Sequence, residues 1–142
     1  MSQKKHSLHL EQIGTAAFEA TAPGSGSLII DGSPDIGGEG RGMRPMEVLL
    51  AALASCSAMD VLHILRKQRE PLERLQIEIE GVRADATPAP FTQATLVFTA
   101  HGPVDRHKLE RAVGLAVDKY CSVRASLAPE VEVRWTARLG SD

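Results

Sequence analysis

The chain has 142 residues, 16 Lys and Arg against 18 Asp and Glu, a formal net charge of −2 and 43% apolar residues. That length supports one domain with a real core, so residues 1–142 read as a single domain of ordinary globular composition. Near-balanced charge, one Trp, one Tyr and three Phe exclude the basic footprint and aromatic platforms that nucleic acid needs.

No apolar stretch reaches the ~18–20 residues that span a bilayer. The leading Met1-Ser2-Gln3-Lys4-Lys5-His6 has lysines but no apolar segment of a secretion signal. The expectation is a cytoplasmic protein without membrane contact, in a compartment where thiols stay reduced.

In chain order, His6 to Gln12 alternates weakly and predicts a strand, and Thr15 to Ala20 around Phe18 predicts its neighbour across Gly14. Pro23-Gly24-Ser25-Gly26 is a turn, and Ser27 to Asp31 a third strand. Gly32 to Arg44 carries five glycines and little apolar content, a loop long enough to suggest mobility or a role at a site. Its glycines lack the spacing of a phosphate loop.

Pro45 suits the first turn of a helix, and the pattern runs on to about Lys67. Val48 through Ala54 is apolar on every side, which predicts a central, buried helix. Such a helix cannot be covered by the rest of so short a chain, so a dimer is expected. Arg69-Glu70-Pro71 stops it. Leu75, Ile77 and Ile79 alternate with Gln76, Glu78 and Glu80 as a half-exposed strand, and Ala94 to Ala100 is the next. Asp105 predicts the N-cap of a second helix with Leu109, Ala112, Val113, Ala116, Val117 and Tyr120 on its apolar face. Val131 to Leu139 alternates as the last strand. The order βββ-α-ββ-α-β is an α+β domain.

The chemistry rests on two cysteines. Cys56 lies in the first helix, and Cys121 closes the second amphipathic run in Lys119-Tyr120-Cys121-Ser122-Val123. Two cysteines and scattered histidines do not supply the three or four ligands that zinc takes, so thiol chemistry is expected and no metal or organic cofactor. The bland alternative is that both are small buried hydrophobes.

The run from Pro45-Met46-Glu47 through Ser55-Cys56-Ser57 to Asp60-Val61, with Tyr120-Cys121-Ser122-Val123, resembles the OsmC/Ohr family of osmotically inducible and organic hydroperoxide resistance proteins. The resemblance implies an intertwined homodimer whose central helices are wrapped by sheets from both subunits, with sites at the interface. It also implies reduction of small apolar organic hydroperoxides, with Cys56 as the peroxidatic residue, Cys121 as the resolving one and an external thiol as reductant. Better-known members carry a glutamate directly after the helix-starting proline, an early arginine, and proline after the second cysteine. Here Met46 follows Pro45, Glu47 comes next, no arginine precedes Arg41, and Ser122 follows Cys121.

The reaction needs Cys56 as thiolate, and the candidate cations are Arg41, Arg44, Arg124 and His63, with Arg41 and Arg44 ranked first because their loop adjoins the helix. Glu47 either orients such an arginine or is a first-turn acid at the helix dipole. Met43, Met46 and Met59 line an apolar pocket or fill gaps in a core. The expected function is thiol-dependent hydroperoxide reduction, slow and rising with pH. The alternative is a non-enzymatic binder of a small apolar ligand on the same scaffold, its cysteines structural.

Overall fold

The computed structural model describes residues 4–142; Met1 to Gln3, part of the leading stretch discussed above, lie outside them. The chain divides into two compact units, Met1–Leu49 and Leu50–Asp142.

In the first unit, β1 (His9–Gln12), β2 (Phe18–Ala22) and β3 (Gly26–Ile30) form an antiparallel sheet in that order. β1 starts three residues later than His6, and β3 ends before Asp31, whose carboxylate turns inward instead. Directly opposed residues share a face, so the rows Leu10–Ala20–Leu28 and Gln12–Phe18–Ile30 make one side apolar. The glycine loop that follows holds a short 3₁₀ turn, Pro34–Ile36, ended by Gly37 in the left-handed region at φ 97°. That is a conformation glycine adopts without steric cost.

Helix α1 (Pro45–Lys67) has the bounds the sequence predicts. Its first turn closes on itself: Glu47 Oε1 accepts the Arg44 N–H at 2.9 Å, the reach-back half of a capping box.

The second unit is built on β4 (Arg74–Arg83), β5 (Phe91–His101) and β6 (Glu132–Leu139). β4 pairs antiparallel with β5, and β6 lies parallel to β5 on its other side. A parallel neighbour demands a crossover, and α2 (Arg106–Leu115) supplies it. Asp105 caps α2 as predicted, its side chain accepting the Lys108 N–H at 3.0 Å.

The core of this unit is Leu53, Val61 and Leu65 of α1, Leu96 and Phe98 of β5, and Leu109, Ala112 and Val113 of α2. After α2 the chain makes one π-helical turn, Ala116–Tyr120, reaches Cys121, and forms the short helix α3 (Ser122–Ser126), neither of which the sequence pattern separates from α2.

One expectation for α1 holds and one changes. Its fully buried residues are Leu53, Ser57, Val61 and Leu65, one stripe at helical spacing, while Met59 is 65% exposed. Within one chain the helix is therefore covered on one side, which leaves the open flank expected of so short a chain. An 18-residue window of α1 also has a mean hydropathy of 2.0, apolar enough for a membrane span by length and composition. The stripe packed into the second unit's core accounts for part of that apolarity, since 33% of the window is buried within the chain.

The candidate thiol site

Cys56 is half-buried on α1, three residues beyond the core residue Leu53. Cys121 is 4% exposed, between the π-helical turn and α3. Both are free thiols. Cys121 serves as the N-cap of α3: its Sγ accepts the Arg124 N–H at 3.4 Å, where an oxygen-bearing residue usually stands.

The Cys121 side chain lies close enough to Cys56 to bear on its ionisation. Burial pushes the Cys56 thiol above the ordinary cysteine range, and the adjoining Cys121 thiol pushes the same way. The N–H groups of Val123 and Ser122 pull it down. Desolvation disfavours the thiolate, and hydrogen-bond donors to sulfur favour it. The first of these wins here. Cys56 is thus held as a neutral thiol with two backbone amides of α3 as its compensation.

The candidate cations are placed as follows. Arg124 lies in this unit, where its Nη1 donates to Asp118 Oδ1 at 2.6 Å and to the Val117 carbonyl at 3.1 Å. Asp118 Oδ2 in turn accepts Trp135 Nε1–H at 3.1 Å. The Arg124 charge is already matched by a carboxylate. His63 is exposed on α1. Arg41, Arg44 and Glu47 belong to the first unit. There, Arg41 Nη1 donates to the Ile13 carbonyl at 2.8 Å, and Glu47 bonds the Arg44 N–H. The capping reading of Glu47 is the one with a contact behind it. Met43 and Met59 are 49% and 65% exposed, so neither fills a core gap within the chain.

Sequence reasoning passed over Asp31. Its carboxylate is buried and accepts three backbone N–H bonds, from Gly32 at 2.8 Å, Glu39 at 3.0 Å and Arg41 at 3.1 Å. The N–H groups of Glu39 and Arg41 hold its pKa below the usual carboxylate value. The only sequence signal was an acid at the end of an apolar strand entering a glycine-rich loop. The Asp118–Arg124–Trp135 group gave no signal, since its members lie on three different elements. Among the described residues, no group of three or more His, Cys, Asp or Glu is arranged to hold a metal ion.

Residues 38–136 match the family model described as OsmC-like protein. The chain belongs to the OsmC-like family. Among curated proteins it is similar to Protein YhfA of Escherichia coli strain K12, 36% identical over 90 residues, which cover 63% of this chain and 67% of that one. Among solved structures, a protein from Aquifex aeolicus VF5 superposes with a TM-score of 0.81 at 31% identity, covering 96% of this chain and 98% of the other. The organic hydroperoxide resistance protein OhrB of Bacillus subtilis shares the fold, with a TM-score of 0.65 at 18% identity over 94% of this chain and 98% of that one. The α+β OsmC-like fold expected from the sequence is the fold observed.

Proposed function

We propose that this protein reduces small apolar organic hydroperoxides through its thiols, as a homodimer using an external dithiol and no metal or organic cofactor. The observation that carries the reading is the pair of free cysteines, with Cys121 close enough to bear on the ionisation of Cys56. Membership of a family that includes organic hydroperoxide resistance proteins supports it.

In the first step the Cys56 thiolate attacks the distal peroxide oxygen, the O–O bond breaks, and the alkoxide takes a proton to leave as alcohol. Cys56 is now a sulfenic acid. The Cys121 sulfur displaces its hydroxyl as water, forming the Cys56–Cys121 disulfide. An external dithiol then restores both thiols by two exchanges and leaves as its own disulfide. Arg41 in the glycine loop is the proposed cation for the thiolate, with Glu47 at the start of α1 as the acid that would orient it, beside the α3 amides.

Treatment with one equivalent of an alkyl hydroperoxide should remove two free thiols per chain. Cys121→Ser should leave a trappable sulfenic acid on Cys56, and Cys56→Ser should abolish turnover. Alanine at Arg41 or Glu47 should slow Cys56 alkylation if these residues support the thiolate. One observation favours a second reading: burial keeps Cys56 protonated, as suits a structural thiol on a scaffold that binds a small apolar ligand. If peroxide leaves both thiols free in the wild type, that binding function takes the lead.

A further inference from the structure

Three side chains of the second unit have no part in the chemistry above, yet they enclose the segment that carries Cys121. Asp118, in the π-helical turn, binds Arg124 through one oxygen at 2.6 Å and the Trp135 indole through the other at 3.1 Å. Arg124 also reaches back to the Val117 carbonyl at 3.1 Å, and its own N–H bonds Cys121 Sγ at 3.4 Å. The chain is thus tied on both sides of Cys121, and Asp118 moors the tie to β6, where Trp135 sits in register with Leu96 of β5. Trp135 is itself fixed by packing, since a Cβ on Gly114 of α2 would come within 3.2 Å of its ring. A π turn widens the helix, and the carbonyls at its end need partners from elsewhere. Arg124 supplies one.

We propose that Arg124 is a positioning residue, anchored by Asp118 and Trp135, that holds the Cys121 turn so its sulfur stays within closing distance of Cys56. Arg124 then acts through geometry rather than by lending its charge to a thiolate, because that charge is already compensated by Asp118. A disulfide tolerates only a narrow range of Cβ separation and torsion, so a turn free to drift would close it poorly. The inference rests on the reading that the two cysteines form a bond with each other. It does not require that a peroxide be the oxidant.

The test is equilibration of the full-length protein with glutathione and glutathione disulfide. The Cys56 thiolate attacks glutathione disulfide and releases one glutathione thiolate. Cys121 then attacks the mixed disulfide and releases the second, while the cysteine protons pass to solvent or to glutathione. The ratio of closed to open protein gives the effective concentration of one sulfur at the other. A misplacement near 1 Å costs up to about 100-fold in oriented reactions, so Arg124→Gln and Asp118→Asn should lower that concentration at least about tenfold. Arg124→Lys, able to meet Asp118 but without the planar guanidinium, should recover part of it. Trp135→Phe keeps the ring packing and loses only the N–H, so it serves as the mild variant and should show a smaller fall in the same direction.

Because Trp135 is the sole tryptophan, its emission reports loosening of the clamp in the other variants independently of any activity. An unchanged effective concentration in all four variants, with only a lower thermal midpoint, would overturn the proposal and leave the group a plain stabiliser. Peroxide reactivity is scored separately. If the wild type ignores hydroperoxides while Arg124→Gln still lowers the effective concentration, the peroxidase reading fails and the clamp stands. If hydroperoxide closes the wild type while Arg124→Gln and Asp118→Asn leave the effective concentration unchanged, the peroxidase reading stands and the clamp fails.

Discussion

Two residues carry opposite electrostatic arrangements. The Cys56 thiol is pushed up by burial and by Cys121, and only the Val123 and Ser122 amides resist. With a pKa above the ordinary ~8.5, the thiolate is a minor species at neutral pH, and each unit of pH multiplies it by about ten. Alkylation of Cys56 by iodoacetamide in Cys121→Ser should therefore rise nearly tenfold per unit from pH 6 to 8; a rate flat over that range would reveal a cation acting on the sulfur. Asp31 is the reverse case, a carboxylate held below its usual value, first by the Glu39 and Arg41 N–H groups. A lowered folded pKa means the stabilisation is complete above the ordinary carboxylate pKa and is lost as pH falls through the folded one. Hydrogen exchange of the Glu39 and Arg41 amides should be protected at pH 5 and lose that protection in strong acid. Asp31→Asn, which keeps the size but removes the charge, should lose it already at pH 5. Equal protection in the two proteins would refute the role given to Asp31.

At the level of elements, what the sequence made legible was whatever repeats or punctuates. Pro45 and Arg69 bracket α1, alternation marks β4 and β6, and Asp105 announces α2. The Asp105 cap gives a direct check: Asp105→Ala should lower unfolding stability by about 1 kcal/mol, read as a shifted denaturant midpoint with unchanged slope. Illegible were the features made by contacts between distant residues. The π-helical turn at Ala116–Tyr120 continues the apolar spacing of α2, so no pattern separates the two, although its Cys121 N–H bonds the Ala116 carbonyl five residues back. Glu47 read equally well as a catalytic orienter or a dipole acid, and its bond to the Arg44 amide was invisible because capping depends on where the chain turns. Of the site, the two sulfurs were legible from their motifs. The amides of α3 acting on Cys56 were not, because any residue can supply an N–H.

For the whole molecule, the question is what covers the apolar surface that a single chain leaves open. Leu10 is 51% exposed and Leu28 43%, flanking the 4%-exposed Ala20 in one cross-strand row, with Phe18 41% exposed in the next. On α1, Met59 is 65% exposed beside a stripe that is fully buried. A sheet face and a helix flank that are both apolar and open in one chain are what an interface between two copies consists of. The homodimer proposed above would cover both, as an obligate dimer burying more than ~2,000 Å² in total. Light scattering at micromolar concentration should give twice the chain mass. Leu10→Glu with Leu28→Glu places four charges per dimer on the covered face, so this variant should dissociate, lose cooperative unfolding or precipitate, whereas His9→Glu with Ser27→Glu, on the polar face of the same strands, should leave the mass unchanged. A wild-type monomer at that concentration, still cooperatively folded, would rule the assembly out and require the open face to have another occupant.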